Sequence, residues 1–364
     1  MKIKEIISWF DEIAPFSYQE SYDNSGLQTG DPDSEINSAL ICLDVTEEVV
    51  EEALKLEAQL IISHHPVIFG GLKSLTGKTR TERIILKSIR NDIAILSGHT
   101  NFDSIFRGVS SVMCEKLQLK NPAILKPAEN TLIKLVFFVP VAYLEKVRES
   151  IFNAGAGVIG NYDMCSFNIE GTGTFRGSEN SKPFAGRKEE FHTEKEIRVE
   201  TILPAVLEHK VVTAMLGAHP YEEVAYDLYP LKNKFTKVGM GMTGVLPAPV
   251  DEAEFLKHIK EVFHCKGIRH TNLTGKKVSK VAVCGGSGSF LLKDAINSGA
   301  DIFISGDFKY HQFFDAENRI LIADIGHFES EQFTKELFYE LLTKKFPKFA
   351  FHLSKVNTNP INYL

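Results

Sequence analysis

Ser63-His64-His65-Pro66 sets two adjacent imidazoles directly after Ala58 to Ser63, an apolar run that reads as a buried strand. Imidazole nitrogens are common ligands for divalent metals, although a structural or capping role at a strand end is the plainer account. A second apolar run, Ile93 to Ser97, leads into Gly98-His99-Thr100-Asn101-Phe102-Asp103, which adds another imidazole and a hard carboxylate. Taken alone, His99 reads equally well as a satisfied buried ring and Asp103 as a helix cap. The third fragment lies more than two hundred residues further on, where Ile320 to Asp324 runs into Gly326-His327-Phe328-Glu329-Ser330-Glu331. In a helix His327 and Glu331, four apart, share a face; an acid-rich helix N-terminus is the alternative. Three imidazoles and two carboxylates (His64, His65, Asp103, His327, Glu331) exceed the donors of one tetrahedral zinc, which points to two metals sharing a carboxylate. Zn, Fe and Mn all suit such donors, and water between two of them is acidified into a nucleophile for hydrolysis.

Other motifs compete for attention. Gly71-Leu72-Lys73-Ser74-Leu75-Thr76-Gly77-Lys78-Thr79 looks like a phosphate-binding loop, but five residues separate its glycines and no clean strand-to-helix context surrounds it. Cys284-Gly285-Gly286-Ser287-Gly288-Ser289 follows a strand and opens a helix, so Gly286 and Ser287 are candidates for contact with an anion, or the turn serves tight packing. It lacks the third glycine of the dinucleotide fingerprint. Ser305-Gly306-Asp307-Phe308-Lys309-Tyr310-His311 ends another strand and offers Lys309 and His311 to the same crevice; His99 is a further candidate to contact substrate or support the ligands. His219-Pro220-Tyr221-Glu222-Glu223 reads as a turn with a buried histidine in preference to a metal site.

The elements that must carry these residues follow from periodicity. Ser38 to Leu43, a helix begun by Thr46, and Ala58 to Ser63 form a strand–helix–strand unit, which implies a parallel sheet whose strand ends line one crevice. After Pro122 to Asn130, where the pattern lapses, the order becomes βαββαβ, the ferredoxin-like arrangement, with a long polar loop from Arg176 to Thr193. The βα alternation then resumes and ends in a helix from Glu329 to Thr343. The simplest division is a discontinuous α/β domain, 1–130 and 235–364, interrupted by an inserted α+β domain, 131–234.

Composition narrows the class. With 364 residues, 43% hydrophobic and 24% charged, the chain is globular, and its longest apolar run, Leu132 to Val141, is too short and too interrupted to cross a bilayer. A net charge of −6 gives no basic footprint for nucleic acid. Five cysteines without a C-x-x-C pair argue against a disulfide framework, and the N-terminus has helical spacing instead of a signal-peptide core, so a cytoplasmic location is expected.

Together the motifs resemble the GTP cyclohydrolase I type 2 homologues, the Nif-three-like family. Asp23-Asn24-Ser25-Gly26-Leu27-Gln28-Thr29-Gly30-Asp31, the three histidine segments, Cys284-Gly285-Gly286 and Gly306 to His311 carry the likeness nearly end to end. Residues 131–234 resemble the PII- or CutA-like insert of the longer bacterial members. The resemblance implies a dinuclear metal centre on His64, His65, Asp103, His327 and Glu331, with Glu331 also catalytic, and a toroidal homohexamer with its metal sites facing the inner cavity. It implies a hydrolase whose metal-bound hydroxide attacks a ring or amide, GTP among the substrates named for the family; the rival expectation is a ring-shaped scaffold or regulatory binding protein with structural metals. Ser25 and Phe308 depart from the family's usual residues, and neither is expected to touch a ligand.

Overall fold

The computed structural model describes residues 1–364. The chain divides into two compact units, Met1–Pro127 with Thr236–Leu364, and Ala128–Phe235.

In the first unit Ser38–Cys42, Leu60–Ser63 and Ala94–Ser97 are buried along their whole length, as strands covered on both faces must be. They pair in parallel; Ala350–Leu353 extends the parallel set, and Gly26–Thr29 closes the far edge antiparallel to Ala94–Ser97. Alternate side chains feed two cores. Ile41, Leu60, Ile62 and Leu96 pack with Ile6 and Phe10 of helix Ile3–Ile13 and with Phe338, while Leu40, Ile61 and Ile95 pack with Val49, Val50, Ile84 and Ile85 of helices Glu47–Lys55 and Arg80–Arg90. Thr46 and Thr79 start those two helices by accepting from the amides of Val49 and Glu82.

A second sheet lies in the same unit: Arg269–His270, Leu321–Asp324, Ile302–Gly306, Lys277–Ser287, Gly239–Asp251 and Lys120–Pro127, in that order. Its strands Leu321–Asp324, Ile302–Gly306 and Lys277–Ser287 are parallel. This corrects the expectation of one sheet. The strand ends that lead to His64, His65 and His99 belong to the first sheet, and the one that leads to His327 belongs to the second. Apolar runs of four or five residues look alike in either sheet, and pairing is settled by partners remote in sequence. The supposed lapse after Pro122 contains the edge strand Lys120–Pro127, where a proline's missing N–H removes no ladder bond. The single helix expected from Glu329 is two, His327–Glu331 and Thr334–Lys345.

The second unit runs strand Leu132–Pro140, helix Leu144–Asn153, strands Phe167–Arg176 and Phe191–Pro204, helix Glu208–Ala218 and strand Tyr226–Leu231. All its pairings are antiparallel, with Leu132–Pro140 between Phe191–Pro204 and Tyr226–Leu231. Leu135, Phe137, Val139, Ile197 and Val199 face Val147, Ile151, Val211 and Met215 of the two helices. The polar loop is shorter than expected, because the flanking strands reach Arg176 and restart at Phe191. No helix of either unit is long and apolar enough to cross a membrane.

Candidate metal centre

The two sheets of the first unit bring the three histidine segments into one cavity of about 480 Å³, lined by His65, His99, Asp103, His327 and Glu331. His64 lies behind them, fully buried, with Nε2 3.7 Å from Asp103 Oδ1 and 3.7 Å from Glu331 Oε1. On the other side of the Glu331 carboxylate, Oε2 stands 2.9 Å from His65 Nε2 and 3.1 Å from His327 Nε2. Glu331 therefore belongs to two donor clusters, His64–Asp103–Glu331 and His65–His327–Glu331, and His99 forms a third with His64 and His65.

Three of these atoms, His64 Nε2, Asp103 Oδ1 and Glu331 Oε2, are buried without a hydrogen-bond partner. Such groups cost about 1–3 kcal/mol each, more when charged, unless something answers them. Divalent cations would answer these atoms, since such an ion sits about 2.0–2.2 Å from nitrogen or carboxylate oxygen and needs no proton on either.

The far side of each ring fixes which nitrogen faces the cavity. His64 Nδ1–H donates to the Gly98 carbonyl (2.8 Å), His65 Nδ1–H to Asp44 (2.7 Å), His99 Nδ1–H to Asp23 (2.7 Å) and His327 Nδ1–H to Asp307 (2.6 Å). Each acceptor lacks a proton to give, so Nδ1 is the donor and Nε2 is left for the cavity, the arrangement that orients metal-ligating histidines. Asp44 is held in turn by the Thr358 hydroxyl (2.6 Å), and Asp23 by Ser25 (2.8 Å) and Thr100.

Electrostatics sharpen the same demand. Burial works against charge on His65 and His327, yet Asp44 with Glu331, and Glu331 with Asp307, overcome it and raise these rings to about 10 and about 11. Two Nε2–H groups cannot point at each other, however, and these two nitrogens are 3.2 Å apart. The carboxylates call for positive charge where two protons do not fit. Burial and the Glu331 charge push Asp103 up to about 7, whereas Glu331, against its own burial, is held well below the usual carboxylate range by His327 and His64.

Sequence reasoning missed Asp44, Asp23, Asp307 and Thr358. Asp44 had a signal, since it stands two residues past strand Ser38–Cys42 as His65 does past Leu60–Ser63. Ser25, expected to touch no ligand, accepts from the His99 amide and donates to Asp23, while Phe308 packs in a core of the second sheet. Ser287 lines the cavity. Gly286 makes room: with φ +59°, a Cβ there would stand 2.3 Å from Glu331 Oε1. Its amide is not free for an anion, because it donates to Ser330 Oγ. Lys309 and His311 are exposed and do not line the cavity, which corrects their assignment to it. In the loop resembling a phosphate site, the Thr76 and Lys78 amides are occupied by the Glu82 carboxylate.

Fold and site thus define an α/β protein with a buried imidazole–carboxylate cluster between two sheets. The Duf34/NIF3 (NGG1p interacting factor 3) profile matches residues 1–360, and the chain belongs to that family. It is 39% identical to the GTP cyclohydrolase 1 type 2 homolog of Halalkalibacterium halodurans, covering 99% of this chain and 98% of that one. The Bacillus subtilis protein of the same name is 38% identical with the same coverage. Among solved structures, a Bacillus cereus protein related to NIF3 superposes with TM-score 0.87 at 40% identity, over 100% of this chain and 99% of that one. A Staphylococcus aureus protein does so with TM-score 0.80 at 30% identity, again over 100% and 99%.

Proposed function

We propose that the protein is a dinuclear metal-dependent hydrolase that opens a ring or cleaves a cyclic amide. The observation that carries this reading is the convergence of histidine nitrogens on both oxygens of the buried Glu331 carboxylate, with His64 Nε2, Asp103 Oδ1 and Glu331 Oε2 lacking hydrogen-bond partners. His64 and Asp103 would hold one divalent ion, His65 and His327 the other, with Glu331 shared and Zn, Fe or Mn suited to the donors. Two such ions supply Lewis acidity and a water acidified toward neutral pH. In the hydrolysis the water oxygen adds to a ring carbon, the C–N bond breaks, and the water proton ends on the departing nitrogen. His99 lines the cavity with Nδ1 tied to Asp23, and its remaining Nε2 is our candidate to carry that proton.

The relatives' name raises opening of the guanine ring of GTP as one case, and formate release from GTP by metal-loaded protein tests it. Around the site we propose a toroidal homohexamer, and we read residues 128–235, with their βαββαβ order, as a ferredoxin-like insert of the PII or CutA kind. All five cysteines are free, in keeping with a reducing, cytoplasmic setting. The function is tested by turnover of cyclic-amide substrates with and without a chelator. Turnover that disappears with the metal and in Glu331→Gln, the protein staying folded, is the expected result. Turnover unchanged in both refutes the hydrolase.

A further inference from the structure

We infer that this cavity takes a compact, uncharged, planar heterocycle or cyclic amide and offers no backbone amide or cationic side chain of the protein as a seat for a phosphate group. The inference rests on the metal reading above and names the substrate class of that site. The cavity, about 480 Å³, has the size of a small-molecule pocket. Its walls away from the histidines include Tyr22, Phe69, Phe290, Phe328 and Ile361, flat or aliphatic surfaces that suit the faces of a planar ring, with Asn359 and Ser287 as neutral polar partners. Tyr22, Phe69, Phe290 and Ile361 each leave at least half of their surface exposed, and together on one cavity they form an apolar rim open to a ligand.

The charges point the same way. No lysine or arginine lines the cavity. Two divalent ions would bring four positive charges against five carboxylates in or directly behind the site: Asp103 and Glu331 among the donors, Asp44, Asp23 and Asp307 behind the histidines. With their charge answered by those carboxylates, the metals would give a phosphate direct ligation only, with no cationic side chain of the protein to hold it. The donors that the sequence offered to a phosphate are engaged or elsewhere. The Gly286 amide is bound by Ser330, the Thr76 and Lys78 amides by Glu82, and Lys309 lies outside the cavity. Beyond direct ligation by a metal, phosphate recognition relies on such amides and on arginine or lysine.

The test begins with metal content, then titrates the metal-loaded protein calorimetrically with hypoxanthine, guanosine and dihydrouracil, and with GTP and inorganic triphosphate. The tightest neutral compound is expected to bind at least as strongly as GTP, and inorganic triphosphate not to compete with it. GTP binding more tightly than every neutral compound, or no neutral compound binding at millimolar concentration, overturns the inference. Ile361→Arg adds the missing cation at an exposed wall position and should raise inorganic triphosphate affinity by about tenfold; no gain in that variant also counts against it. If the protein takes up no metal, the hydrolase reading falls by itself. The same titrations on metal-free protein then still decide the cavity's preference.

Discussion

His219 of the second unit and the four histidines of the candidate metal centre are all held by hydrogen bonds, and they differ in how many nitrogens those bonds use. His219 Nε2–H donates to the Phe138 carbonyl (2.9 Å) while its Nδ1 accepts from the Tyr221 amide (3.1 Å), so the neutral ring is complete. Each cavity histidine has Nδ1 fixed by an oxygen and Nε2 turned toward other donors. Burial alone therefore says little about a histidine. A ring satisfied at both nitrogens is a structural part, and a ring satisfied at one, facing other unsatisfied donors, is a ligand in waiting.

Substitutions can break that contrast, beginning with the largest effect. His65→Ala removes a donor from the His65–His327–Glu331 cluster, and we expect one ion to be lost outright when metal content is measured after dialysis. Asp44→Asn leaves the ligand in place but unsettles its tautomer; chelator competition should show affinity about 10–100-fold weaker. Thr358→Val removes only the hydroxyl behind Asp44, a loss of about 1 kcal/mol and a several-fold weakening in the same assay. His219→Phe should lower thermal stability through the unpaired Phe138 carbonyl and Tyr221 amide, by about 1–3 kcal/mol, with metal content unchanged. Metal loss in that last variant would erase the distinction between the two regions.

Acidity offers a further check. Asp44, Glu331 and Asp307 favour a proton on the His65–His327 pair in the metal-free protein; this contribution is full below about pH 6.5 and fades as pH climbs toward the pair's raised range, about 10 to about 11. Metal binding has the opposite dependence, because it needs both rings unprotonated. The melting-temperature gain on adding metal should thus widen steadily from pH 6 to pH 8.5, and a gain that shrinks over that range would contradict the assignment.

Much of the site was legible because chemistry and position coincide in it. His64, His65, Asp103, His327 and Glu331 each follow a short buried apolar run, and strand ends are where α/β sheets present ligands. Which sheet each strand joins was not legible, since Leu60–Ser63 and Leu321–Asp324 are alike as apolar tetrapeptides and only distant pairing separates them. Proximity in sequence also misled at Lys309 and His311. Asp307 adopts φ +59° directly after its strand and gives its carboxylate to His327, and the chain then enters the 3-10 turn Tyr310–Ala316, where His311 and the preceding Lys309 are exposed. The carboxylates behind the rings escaped notice because a lone aspartate in a loop has no periodicity to mark it.

Dinuclear metal binding depends on the two clusters that share Glu331. Titration of chelated, full-length protein with Zn, Fe(II) or Mn, read as bound ions per chain by mass spectrometry, tests it most directly. We predict uptake of two ions per chain in wild type and at most one in Glu331→Gln. No uptake by the wild-type protein, or two ions retained in Glu331→Gln, would contradict it.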